Sequence, residues 1–185
     1  MTLVCCTLTN NFALITGDTL ITDNETNTSR TVRKVFKFSD ILIGASGSGG
    51  AVEVIPAIME TYQNGTAHNH MQQVANLFTG DGEKVMESRY SQFLYVSKDE
   101  ESPFMGIVDT KGDHQILRKN TNDALLIWQG IGEPNLDLLQ SSIPTTVQHN
   151  FDLNIAKRIH EEYISKVSQR SNTVNSDVIH ECLIF

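Results

Sequence analysis

TLVCCTLTNNFALITGDTLITDNETNTSRTVRKVFKFSDILIGASGSGG, residues 2–50, decides how the rest of the chain is read. Leu3 to Thr9 and Phe12 to Thr16 are apolar runs separated by the turn pair Asn10-Asn11, and they read as a hairpin. Thr31 to Phe38 alternates polar and apolar residues, the period of a strand buried on one face, and Ile41 to Ala45 follows across Ser39-Asp40 as its partner. The expectation is a chain that opens with four strands. Ser46-Gly47-Ser48-Gly49-Gly50 breaks that pattern, after which Val54, Ile55, Ile58, Met59 and Tyr62 recur at helical spacing. Pro56 removes a hydrogen bond from this helix, which is therefore expected to start late or bend.

Working outward, Met71, Val74, Ala75 and Phe78 indicate a second helix, with a possible extension past Gly80-Asp81-Gly82 through Val85 and Met86. Phe93 to Ser97, Phe104 to Asp109, Gln115 to Lys119 and Ala124 to Trp128 read as strands, and Lys111-Gly112 as a hairpin turn. Beyond Gly130-Ile131-Gly132 come a short helix around Leu136 to Leu139, a longer one with Ile155, Ile159, Tyr163 and Val167 on one face, and a closing strand from Val178 to Ile184. Strands, two helices, strands, two helices and a strand make an α+β chain whose two antiparallel sheets lie between helical layers. At 185 residues this is one domain, 1–185, with one active centre.

Composition narrows the function. The 14 basic residues set against 22 acidic ones give a net charge of -8, which disfavours binding to phosphate backbones, so no nucleic-acid partner is expected. There is no apolar run long enough for a bilayer and no recognisable secretory signal, so the expectation is a cytoplasmic protein without membrane insertion. Cys5, Cys6 and Cys182 are odd in number, and neighbouring strand residues point to opposite faces; buried small side chains explain them better than a disulfide framework or a nucleophile. His68 and His70 lack the further ligands a metal needs and are expected as exposed loop residues. Without the Gly-Lys-Ser/Thr ending of a phosphate loop, the turn at residues 46–50 reads as a strand-to-helix connection. No cofactor and no metal is expected.

Removal of Met1 would leave Thr2 with a hydroxyl and a free α-amine on one residue. An α-amine titrates near pH 8, so it can serve as general base to its own hydroxyl and no histidine is required. Asp18 and Lys34 lie near strand ends, where adjacent strands can bring them to Thr2. A lysine there lowers the amine's pKa and stabilises developing negative charge, and an aspartate orients the lysine. Taken singly, each has a plainer reading: an ordinarily processed second residue, a turn cap and a solvated strand charge.

Thr2-Leu3-Val4, Gly17-Asp18-Thr19-Leu20-Ile21-Thr22, Val32-Arg33-Lys34-Val35-Phe36 and the glycine-rich turn at Ser46 to Gly50 together resemble the proteasome β-subunit and HslV-type threonine peptidases, without a gap through Lys34. The resemblance implies a four-layer αββα sandwich of the N-terminal-nucleophile (Ntn) hydrolase type. It also implies Thr2 as nucleophile and base, Asp18 and Lys34 as its supporting pair, and the Gly47 N–H as part of an oxyanion hole. A homo-oligomeric ring acting on unfolded polypeptide, fed by a separate ATPase unfoldase, goes with it. Two positions depart from the pattern. Gly130-Ile131-Gly132 stands where the family has Gly-Ser-Gly, and Arg170-Ser171-Asn172-Thr173-Val174 replaces an Asp-x-x-Ser, with Ser171 as the stand-in. A catalytically silent ring subunit and an Ntn amidase acting on a small amide remain as alternatives, Ile131 favouring the first and Lys34 disfavouring the second.

Overall fold

The computed structural model describes residues 3–23, 28–47, 49–79, 90–118, 127–132, 135–142 and 151–185. Strands β1 (Leu3–Leu8) and β2 (Phe12–Asp18) form the expected antiparallel hairpin, with Val4 opposite Gly17 and Leu8 opposite Ala13. The Thr9 hydroxyl closes its turn by accepting the Asn11 and Phe12 N–H groups at 3.2 and 2.9 Å. Every residue of both strands is buried, which an alternating pattern could not support, because both faces of this hairpin are covered.

The opening differs from four strands. Thr31 to Phe38 is not one strand. β3 (Leu20–Asp23) and β4 (Thr28–Thr31) form a separate two-stranded ribbon, and β5 (Val35–Phe38) begins only after residues 32–34. The alternation seen in the sequence spans that break because Val32 belongs to the chain leaving the ribbon, its N–H bonded to Thr19 O at 2.8 Å. β6 (Ile41–Gly47) then pairs with β5.

Helix α1 spans Gly49–Met59 and ends before Tyr62. It neither starts late nor excludes Pro56, which lies within it with its side chain exposed. Helix α2 runs Ala67–Thr79, and the suggested extension through Met86 lies outside the described residues. β7 (Ser91–Lys98), β8 (Pro103–Asp109) and β9 (His114–Arg118) continue from β6 as an antiparallel meander, giving a five-stranded sheet in the order β5-β6-β7-β8-β9. Gly112 turns between β8 and β9 with φ of +91°, as the Lys111-Gly112 signal requires.

β10 (Ile127–Gly132) contains the end of the strand expected over Ala124 to Trp128 and continues it through Gly130-Ile131-Gly132; residues 119–126 are outside the described set. It pairs with β1, Leu3 opposite Gly132 and Val4 opposite Ile131. Helices α3 (Leu136–Ser142) and α4 (Leu153–Ser168) follow; Asp152 caps α4 by accepting the Ile155 N–H at 2.8 Å. Strand β11 (Val178–Ile184) pairs with β2 and completes a sheet in the order β10-β1-β2-β11.

Three layers of side chains join these elements. Val4, Cys6, Ile15, Leu42, Leu94, Val96 and Met105 fill the space between the two sheets. Ile43, Val52, Ile55, Met71, Val74 and Phe93 bind α1 and α2 to the five-stranded sheet, while Leu3, Cys5, Tyr163, Ile164 and Val167 bind α4 to the other. The result is the αββα sandwich, with the ends of β1, β2 and β10 brought beside the start of β5.

Candidate active site

The chain from β2 to β5 leaves one sheet, makes the ribbon and joins the other sheet. That path delivers Lys34 to Asp18. Asp18, the last residue of β2, and Lys34, just before β5, have fully buried side chains, and the Lys34 ammonium lies 3.0 Å from each Asp18 carboxylate oxygen. The ammonium also donates to the Leu20 carbonyl. Arg33, one residue earlier, points the other way, pairing at the surface with Glu181. Gly17 helps make the room, since a Cβ there would lie 3.0 Å from Val35 and 3.6 Å from the Lys34 Cβ.

Asp18 is saturated with donors. Oδ1 accepts the Leu3 N–H at 2.9 Å and Oδ2 the Leu20 N–H at 3.0 Å, in addition to the ammonium. The turn-cap reading of this residue and its reading as partner of Lys34 are therefore both correct. Burial lowers the Lys34 pKa from its ordinary value, and the charge and hydrogen bonds of Asp18 oppose that shift. A buried charged pair of this kind persists when its remaining hydrogen bonds are made, as here; removing one partner leaves the other charge buried and alone.

Thr2 lies outside the described residues. Its sequence neighbour, Leu3, is the residue whose N–H is bound to Asp18 and which pairs with Gly132. Gly47 closes β6 opposite Ser91 with φ of +116°; a Cβ there would come within 2.2 Å of the Tyr90 carbonyl, so only glycine fits. Ser48, between Gly47 and α1, is outside the described set. Ile131 is 2% exposed and sits with Val4 in the layer between the sheets, so its position is filled by packing. Ser171 follows α4: its hydroxyl is 2.8 Å from the Thr173 hydroxyl and accepts the Thr173 N–H at 3.2 Å.

A residue that sequence reasoning missed reaches this site from the same loop. Asn175 accepts the Thr19 N–H at 3.0 Å through Oδ1 and donates from Nδ2 to the Thr19 hydroxyl at 3.0 Å. Nothing in the sequence singles it out, because the bond spans 156 residues.

The other candidates resolve differently. Cys5 and Cys6 are buried on opposite faces of β1, one against α4 and one between the sheets, and burial pushes both thiols far up, away from the thiolate form. His68 and His70 are not exposed loop residues. Both lie in α2, His68 half-buried and His70 buried, because α2 starts earlier than its apolar spacing suggests and turns them toward the sheet and α1. Among the described residues there is no cluster of three or more His, Cys, Asp or Glu side chains that could hold a metal, and no helix is long and apolar enough to cross a membrane.

This architecture is the Ntn-hydrolase fold. Eukaryotic HslV from Trypanosoma brucei superposes with a TM-score of 0.66 over 100% of both chains at 14% identity. Anbu, an ancestral beta-subunit, from Yersinia bercovieri gives 0.74, and a Gly-1 mutant of Anbu from Hyphomicrobium sp. strain MC1 gives 0.70; each is 11% identical, with 100% of this chain and 82% of the other covered. No sequence family and no curated protein matches the chain. The similarity is thus one of fold.

Proposed function

We propose that this chain is a threonine-type endopeptidase subunit of a self-compartmentalising protease of the proteasome and HslV kind. The observation that carries the reading is the buried Lys34–Asp18 pair whose carboxylate also holds the N–H of Leu3, the residue next to Thr2. With Met1 removed, the Thr2 hydroxyl attacks a peptide carbonyl while the α-amine takes its proton. The C–N bond then breaks, the proton passes to the leaving amine, and an ester to Thr2 remains for water to hydrolyse. Lys34 supplies a fixed positive charge beside this exchange, and Asp18 fixes Lys34. The Gly47 N–H is the proposed oxyanion donor and Ser171 a supporting hydroxyl. Unfolded polypeptide is the proposed substrate, a homo-oligomeric ring in the cytoplasm the proposed setting, and a separate ATPase the proposed unfoldase.

A second reading has its own observation. Ile131, buried where the family pattern places a serine, supports a subunit that kept the fold and lost the chemistry. Intact-mass spectrometry before and after treatment with a threonine-directed β-lactone separates the two. Loss of the Met1 mass and one adduct, absent from Thr2→Ala, is expected of the peptidase; retained Met1 and no adduct would leave the silent subunit. Lys34→Ala is expected to abolish peptide hydrolysis, and unchanged turnover in the pure variant would remove Lys34 from the mechanism.

A further inference from the structure

The Asp18–Lys34 pair is only as fixed as the backbone that carries Asp18, and that backbone changes sheets at the next residue. Asp18 ends β2, Leu20 begins the ribbon strand β3, and Thr19 lies between them, 5% exposed and in neither strand. A residue at such a crossing has backbone groups that no ladder satisfies. Here they are held from two sides. Val32, two residues before Lys34, donates its N–H to the Thr19 carbonyl at 2.8 Å. On the opposite side the Thr19 N–H and hydroxyl are both taken by Asn175.

We propose that Asn175 is a positioning residue of this site: it clamps Thr19 from the loop between α4 and β11, and so fixes Asp18 against both Lys34 and the Leu3 N–H. The chemistry of the side chain suits the task. A carboxamide offers an acceptor and a donor side by side, matching an N–H and a hydroxyl oxygen on one residue. An aspartate offers acceptors alone, alanine offers neither, and glutamine carries the amide one methylene farther. The loop is itself anchored nearby, since Val178, three residues on, pairs with Asp18. The clamp and the ladder therefore grip the end of β2 from residues three apart in one segment.

The inference rests on the peptidase reading for its consequence in turnover, but the geometry is testable without it. Three variants, Asn175→Ala, Asn175→Asp and Thr19→Val, are compared with the full-length protein in two measurements. One is peptide hydrolysis. The other is solvent exchange of the Lys34 ammonium protons, followed by nitrogen-resolved NMR of lysine-labelled protein, because buried ammonium protons held by Asp18 and Leu20 exchange slowly. Misplacement of a supporting group by about 1 Å costs on the order of 100-fold in rate, so kcat is expected to fall roughly 10- to 100-fold in Asn175→Ala with KM nearly unchanged. Exchange at Lys34 should quicken in the same variant, while the backbone signals of Lys37 and Lys98 in the five-stranded sheet stay in place.

Asn175→Asp, which keeps the acceptor, should retain more activity than alanine, and Thr19→Val, which keeps the N–H bond and the shape, should lie between. Should Asn175→Ala fail to fold, the other two variants carry the same comparison. Unchanged exchange at Lys34 in all folded variants would overturn the clamp. Faster exchange in Asn175→Ala than in wild type, where the wild-type chain itself hydrolyses nothing, would uphold the clamp and overturn the peptidase.

Discussion

The two helix–sheet faces of this molecule each hold a pair of histidines, and they do so in opposite ways. Beneath α4, His160 is fully buried between two threonine hydroxyls, Thr7 at 2.9 Å from Nε2 and Thr16 at 2.6 Å from Nδ1. Thr16 in turn lies 2.8 Å from His180, and His180 lies 3.0 Å from the Glu161 carboxylate near the surface. Beneath α2, the His68 and His114 rings stack 4.4 Å apart around the Tyr95 hydroxyl, at 3.1 and 2.8 Å, and Gln72 reaches His114 Nδ1 at 3.1 Å. Counting donors assigns a direction to each chain of bonds. The first runs from Thr7 through His160, Thr16 and His180 to a carboxylate; the second runs from Gln72 through His114 and Tyr95 to His68, with no carboxylate among these four. One network terminates on an anion, while the other confronts two imidazoles directly.

The consequence is a difference in what acid does. Burial, and then the nearby His180, depress His160 to about 3, below the ordinary value near 6.5. The unfolded chain therefore binds a proton that the folded chain refuses, and this residue's contribution to stability is lost as pH falls from about 6.5 toward about 3. His114 is shifted in the same direction, by burial first and by His68 second, and adds loss of the same sign below its ordinary value.

The largest expected effect is at His160. His160→Ala removes the histidine bonded to the buried Thr7 hydroxyl, takes one of the two histidine partners of Thr16 and opens a cavity, and should cost about 3 kcal/mol at neutral pH by denaturant titration. It should also flatten the acid limb of the stability profile between pH 6.5 and 3. A variant that keeps the wild-type acid slope would show that the loss arises elsewhere.

Next comes the packing that fixes Tyr95. Gly106 in β8 lies opposite Tyr95 in β7, and a Cβ there would come within 2.1 Å of its ring, so Gly106→Ala must displace a fully buried side chain. Overpacking of this kind costs about 1–3 kcal/mol. Tyr95→Phe keeps the ring and deletes the hydroxyl that bonds to both imidazoles, with an expected cost of about 1–2 kcal/mol. Equal losses in the two variants would mean that the hydroxyl network, not the ring position, holds α2.

How much of this was legible beforehand follows from the range of each interaction. The hairpin, the meander and the amphipathic helices are written in local periodicity and turn residues, so their existence was readable along the chain. The ribbon was not, because Val32 continues an alternation that Thr31 had already left for another partner. Asp18 and Lys34 were readable as a pair only through their joint spacing, and the structure brings them together at 3.0 Å. Asn175 and His160 were invisible for the opposite reason: a polar residue in a loop and a histidine on a helix carry no local mark of partners more than 140 residues away. His68 and His70 misled because α2 begins before its apolar period is established.

The smallest effect should come from Gln72, and it tests the assigned direction of the second chain most sharply. Gln72 is exposed, and its amide is the group that leaves His114 Nδ1 without a proton. Gln72→Ala should change stability at pH 7 by no more than about 0.5 kcal/mol, as surface substitutions do. Yet it should raise the His114 pKa, because Nδ1 loses a donor that favours the neutral ring and gains water that can accept its proton. The acid limb would then begin to weaken less steeply below pH 6.5. Proton NMR titration of His114 in wild type and Gln72→Ala reads the shift directly: a lowered pKa would reverse the assigned direction of the bonds from Gln72 to His68, and an identical titration would remove Gln72 from that chain.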